Sequence, residues 1–175
     1  MERVIAQDLG VWGHFVGDGC QPLHVSVHYY GWGAYPNPQG FTQSHETHAM
    51  FESEFVDRYV SEAAVAARVK PASAYGVPRE LLSQQDVMLD VMRYLQTGTS
   101  SVPELYQIEK RGGFASGSPE AVSFTAGRLA AGVAELRDLS VLAWQDSLYA
   151  KIGYPEFPVR DVLSGKAAWP QSYGE

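Results

Sequence analysis

The sequence predicts an all-α fold, and three observations carry that prediction. Apolar residues recur at three- and four-residue spacing along most of the chain, the mark of helices with one buried face. Pro22, Pro71 and Gly98 stand where such runs stop. No stretch alternates apolar and polar residues long enough to build a sheet.

The first helix is expected over Val4 to Asp18, with Ile5, Leu9, Trp12 and Val16 on its inner stripe and Pro22 forbidding continuation. Residues 29–43, "YYGWGAYPNPQGFTQ", are too rich in Gly, Pro and aromatic rings for regular structure and read as a long loop. A second helix is expected from Ser44 to about Val69, with Phe51, Phe55, Tyr59 and Val60 on one side. Pro78 fits the first position of a third, whose Leu81, Met88, Val91 and Leu95 lead to a stop at Gly98. A short helix follows from Pro103 to Arg111, ended by Gly112 and Gly113. Ser118-Pro119-Glu120 opens the longest, with Val122, Leu129, Val133, Leu136 and Ala143 facing inward to about Tyr149. Residues 153–175 carry Pro155, Pro158 and Pro170 and read as an irregular tail.

At 175 residues with 45% apolar content, the chain fits one domain spanning 1–175 with a real core. Its net charge of −7 argues against affinity for nucleic acid resting on a broad basic surface. A lone cysteine, Cys20, excludes an internal disulfide and is read as a small buried residue. No apolar run reaches membrane-spanning length, and the first residues, "MERVIAQDLGVWGHF", lack a signal-peptide pattern.

The chemistry concentrates early. All five histidines, His14, His24, His28, His45 and His48, lie within the first 48 residues. His14 and Asp18 are four apart, as are His48 and Glu52, so each pair projects from one face of its helix. Helical zinc sites present ligands in this way, and a catalytic one leaves a position open for water. His24, His48 and Glu52 make a three-ligand set. His14 and Asp18 offer two ligands to a neighbouring ion, and the two oxygens of Asp18 allow it to bridge. His28 and His45 read as loop or supporting residues, and Glu104, Glu109, Lys110 and Arg111 as a solvated face. Tyr29, Tyr30, Trp32, Tyr35 and Phe41 form either a platform on which a base or lipid group stacks or a lid packed on its own core.

The stretches "GHFVGDGCQPLHV" and "HAMFESEFVD" resemble the zinc-dependent phospholipase C / S1–P1 nuclease family. The shared pattern is His, three residues, Asp, five residues, His, and later His, three residues, acid, with "D-x-x-Q-P-L-H" between. "PELYQIEKRGGF" and "AVSFTAGRLAAGVAELRDL" are similar to the family's C-terminal helices, so the resemblance covers nearly the whole chain. It implies a multi-helix bundle holding up to three zinc ions and hydrolysing phosphodiesters. His24, His48 and Glu52 would hold one zinc; His14 and Asp18 would serve the others, with the catalytic, bridging role on Asp18.

The family's first ligands, an N-terminal Trp followed by His, Asp and His, have no counterparts here. The resemblance therefore implies a C-terminal portion of a family member, and export to periplasm or medium for the complete form. The 24-residue step from His24 to His48 resembles the nuclease branch, with single-stranded nucleic acid or nucleotides as substrate. Glu52, where nucleases carry Asp, and a loop without Gly-Gly-Asn resemble the phospholipases and imply a phosphatidylcholine-like head group instead. A non-catalytic zinc-binding remnant is the third expectation.

Overall fold

Glycines decide how the first helix packs. The computed structural model describes residues 2–72 and 83–168, and its regular structure is helical apart from one short hairpin, with turns and loop over 21–46. Helix α1, Glu2–Cys20, lies along the long helix α8, Pro119–Ser147, and against α5, Gln84–Ser100. Its contact stripe holds Gly13, Val16, Gly19 and Cys20: a methyl at Gly13 would meet Leu136 at 3.3 Å, and one at Gly19 would meet the Tyr94 ring at 2.6 Å. The expected stripe is thus only half right. Val16 is buried and Trp12 half-buried, but Ile5 and Leu9 face solvent because small residues, not large ones, let the helices close.

The expected helix over 44–69 is broken. It comprises α2, Thr47–Ala49, a π-helical turn, Met50–Glu54, and α3, Phe55–Tyr59; Val60 is extended and a separate α4, Glu62–Ala66, follows. The reason is local. The Ser61 side chain accepts from the Ala64 amide and so starts a new helix where the old one could have continued. Phe51 and Phe55 are buried as expected, while Tyr59 and Val60 are half-buried.

In α5 the Ser83 hydroxyl and Asp86 carboxylate form a reciprocal capping box. Pro78 and Leu81, expected at its start, lie outside the described residues. Gly98 does not end the helix, which runs on to Ser100; a methyl there would come 2.9 Å from both the Gly19 carbonyl oxygen and the Val25 side chain. This glycine serves close approach. Met88 is exposed, against expectation. Helix α6, Val102–Lys110, ends at Gly112 in the left-handed conformation, and α7, Gly113–Ser116, leads into α8, whose N-cap is Ser118 as read from sequence. Along α8 the fully buried side is Ala121, Thr125, Ala126, Arg128, Ala130, Gly132, Leu139 and Leu142. Val122, Leu129 and Leu136 are half-buried, whereas Val133 and Ala143 face outward because this helix too packs through small residues.

The expected irregular tail contains structure. Strands β1, Lys151–Ile152, and β2, Phe157–Pro158, pair antiparallel with Ile152 opposite Phe157, and α9, Val159–Leu163, follows. Two-residue strands are too short to register as alternation. Residues 169–175 lie outside the description. No helix among the described residues is long and apolar enough to cross a membrane.

The main core joins Leu23, Phe41, Phe51, Phe55, Leu105, Tyr106, Ile108 and Phe114. It draws on the loops as much as on the helices. Leu23 and Phe51 are chain neighbours of His24 and Glu52, and burying each contributes about 1.5–3 kcal/mol to fixing the backbone that carries those side chains.

Candidate metal centre

Three donor atoms converge from two separate segments. His24 follows α1 across a pair of tight turns, in which the Gln21 amide donates to Asp18 O and the His24 amide to Gln21 O. His48 belongs to α2 and Glu52 to the π turn, so the two are four residues apart as the sequence suggests. His24 Nε2 lies 3.0 Å from His48 Nε2, and Glu52 Oε2 lies 2.9 Å from the first and 2.8 Å from the second. Among the described residues, these three form the group close enough to bind one metal ion.

The far sides of the rings decide what the near sides offer. His48 Nδ1 is 3.1 Å from the Tyr29 carbonyl oxygen, which can only accept, so Nδ1 carries the proton and Nε2 of the neutral ring presents a lone pair. His24 Nδ1 faces Asp18 Oδ1 at 3.1 Å, which sets the same tautomer. Two imidazole lone pairs and a carboxylate oxygen then meet within about 3 Å. Such a cluster is electrostatically unfavourable until a cation or protons enter it. Two imidazoles and one carboxylate would suit a divalent cation such as zinc, whose ligands would stand only a few tenths of an ångström farther apart than these atoms do, roughly 3.3 Å.

Gln21 completes the frame. It is buried, its Nε2 donates to Glu52 Oε2 at 3.1 Å, and its Oε1 accepts from the Leu23 amide at 2.7 Å. Partial burial pushes the Glu52 carboxyl upward, but the hydrogen bond from Gln21, joined by those from His48 and His24 when their Nε2 atoms carry protons in place of an ion, outweighs that and holds it below the usual glutamate range. Sequence reasoning assigned Gln21 no role. The available signal was its place among Cys20, Pro22 and Leu23, all buried, since a polar side chain enclosed by apolar neighbours must find a partner.

The remaining residues fall around this group. Asp18 stands on the Nδ1 side of His24, away from the three converging atoms, and its Oδ2 is 3.4 Å from His14 Nε2. The His14 side chain is 71% exposed. His28 is stacked on Trp32 at 3.8 Å between centroids, and its Nδ1 lies 2.8 Å from Trp32 O. His45 stacks on Tyr30.

The aromatic loop divides into two parts. Phe41 is buried and Trp32 half-buried against Tyr106, so both belong to the core. Tyr29, Tyr30 and Tyr35 are about half exposed, and the Tyr30 ring sits edge-on to His48 at 5.7 Å. Lys110, read from sequence as part of a solvated face, donates to Gln39 O and pins the loop's far end to α6. Cys20 is buried as expected, and burial pushes its thiol up.

Comparison with family models, with curated proteins and with solved structures finds no match to this chain.

Proposed function

We propose that this chain is a zinc-dependent phosphodiesterase of the phospholipase C / S1–P1 nuclease kind, with a helical bundle to match, acting on single-stranded nucleic acid or nucleotides. The observation that carries the reading is the meeting of His24 Nε2, His48 Nε2 and Glu52 Oε2, each ring held from behind by an acceptor. When bound there, zinc supplies a Lewis acid that polarises a phosphoryl oxygen and acidifies water. The chain's own residues do the positioning. Asp18 and the Tyr29 carbonyl fix the histidine tautomers, as carboxylate and carbonyl partners do behind metal ligands. Gln21 aims Glu52. Exposed Tyr29 and Tyr30 beside His48 offer flat faces to an unpaired base, where stacking is worth about 1–3 kcal/mol.

A lipid substrate is the second reading, favoured by exposed Phe15 next to His14 and exposed Val27 on the loop after His24. The family resemblance also implies export to the periplasm or medium. The test is turnover by the zinc-loaded chain. Cleavage of single-stranded DNA or RNA, lost with chelator and in Glu52→Gln, supports the nuclease reading. Phosphocholine release from phosphatidylcholine micelles assigns the lipase. Stoichiometric zinc with neither activity defines a non-catalytic remnant and refutes the proposal.

A further inference from the structure

A cleft of about 440 Å³ opens between α5, the segment after α4 and the middle of α8. Its floor is made of small residues, Gly127, Ala130, Ala131 and Ala134, which leave the space that larger side chains would fill. Its walls are cationic, in a chain whose net charge is −7: Arg68, Lys70, Arg93, Arg128 and Arg137 line it with three acids. Arg93 is paired with Asp90 and Arg137 with Asp138. That sets Arg68, Lys70 and Arg128 against a single carboxylate, Glu135.

The second observation is the state of the polar atoms. Arg128 is only 8% exposed; its Nε donates to Cys20 O at 2.9 Å, but its Nη2 is buried without a partner. Nη2 of Arg137 and Oε1 of Glu135 are likewise buried and unpartnered, and both residues line the same cleft. Unpaired buried guanidinium N–H groups are costly, more so than neutral ones, and native structures ordinarily satisfy them.

We propose that this cleft is a phosphate-binding site, receiving inorganic phosphate or the phosphoryl end of a small ester on Arg128 and Arg137. A phosphate carries about −1.5 to −2 at neutral pH, which matches the surplus of Arg68, Lys70 and Arg128 over Glu135. Planar guanidinium forks suit its tetrahedral oxygens. Burial, reinforced by Asp138 and Asp90, pushes the Glu135 carboxyl up, so it opposes a bound anion less than an exposed carboxylate would. The site is separate from the metal centre: Glu52, His24 and His48 do not line it.

The test is calorimetric titration of the full chain with inorganic phosphate. The expected result is one phosphate per chain, unchanged in Glu52→Gln, which removes a metal ligand. The rim variant Arg68→Gln/Lys70→Gln should weaken binding by about tenfold, equivalent to about 1.4 kcal/mol. Arg128→Met should abolish it; if that variant fails to fold, the rim pair decides. Glycerol 3-phosphate binding more tightly than phosphate assigns an ester as the ligand, and the reverse order assigns the free anion. Absence of binding by the wild type, loss of binding in Glu52→Gln, or unchanged binding in the rim variant overturns the proposal.

Discussion

Gln21 is the residue whose replacement best tests how the metal centre is built. Gln21→Ala deletes the donor 3.1 Å from Glu52 Oε2 and the acceptor 2.7 Å from the Leu23 amide. The orphaned Leu23 N–H, in a fully buried residue, costs about 1–3 kcal/mol of stability. Loss of the partner that orients a ligand typically weakens metal binding by about 10- to 100-fold. Gln21→Glu separates the two effects. It keeps an acceptor for Leu23 but sets a second carboxylate against Glu52, where two charges about 3 Å apart repel by up to roughly 5 kcal/mol at an effective dielectric of 20. One of the pair then holds a proton in the folded state that the unfolded chain releases, so this variant's stability is fully present below the unfolded glutamate pKa and is lost as pH rises. Urea unfolding in chelator measures the first quantity and zinc competition titration the second. If Gln21→Ala binds zinc as tightly as the wild type, Glu52 is not held by Gln21 and the account of the frame is wrong.

Three further outcomes are expected. Elemental analysis should find near one zinc per wild-type chain and none in Glu52→Gln, whereas Asp18→Ala should retain the ion with an affinity weakened by about 10- to 100-fold, because Asp18 faces His24 Nδ1 rather than the converging atoms. Gly98→Ala should lower the thermal midpoint: the gain in helix propensity is about 1 kcal/mol, but the methyl would stand 2.9 Å from the Gly19 carbonyl oxygen, and overpacking costs about 1–3 kcal/mol. Glu135→Gln should stabilise the chain at neutral pH, because burial raises the wild-type carboxyl and its ionisation then opposes folding. That gain should vanish as pH falls below the ordinary glutamate value of 4.5, where the carboxyl is protonated in both states, and denaturation curves at several pH values check it.

The convergence of His24, His48 and Glu52 was legible because it rests on spacing. His48 and Glu52 four apart, and His24 just past a helix broken by Pro22, are relations that a helix turns directly into proximity. Packing was less legible. Periodicity weighs large apolar residues, so it put Ile5 and Leu9 inward and missed that Gly13, Gly19 and Gly132 are where the helices meet. The break at Val60 was hidden for a related reason, since a serine that caps a helix looks the same in sequence as one lying within it. The aromatic loop could not be resolved into anchor and platform because Phe41 and Tyr30 differ only in what α6 brings beneath them.

The π turn at Met50–Glu54 has a consequence for anyone stabilising this protein. In a regular helix His48 and Phe55, seven residues apart, would point within about 20° of each other, one towards His24 and Glu52 and the other into the core. A wide turn takes more residues per revolution and pulls the two directions apart. Helical regularity and site geometry are therefore in competition over five residues. Raising helix propensity at Ser53, ordinarily a safe route to a hardier protein, would here press the chain towards a form in which the ligand and the core anchor contend for one face.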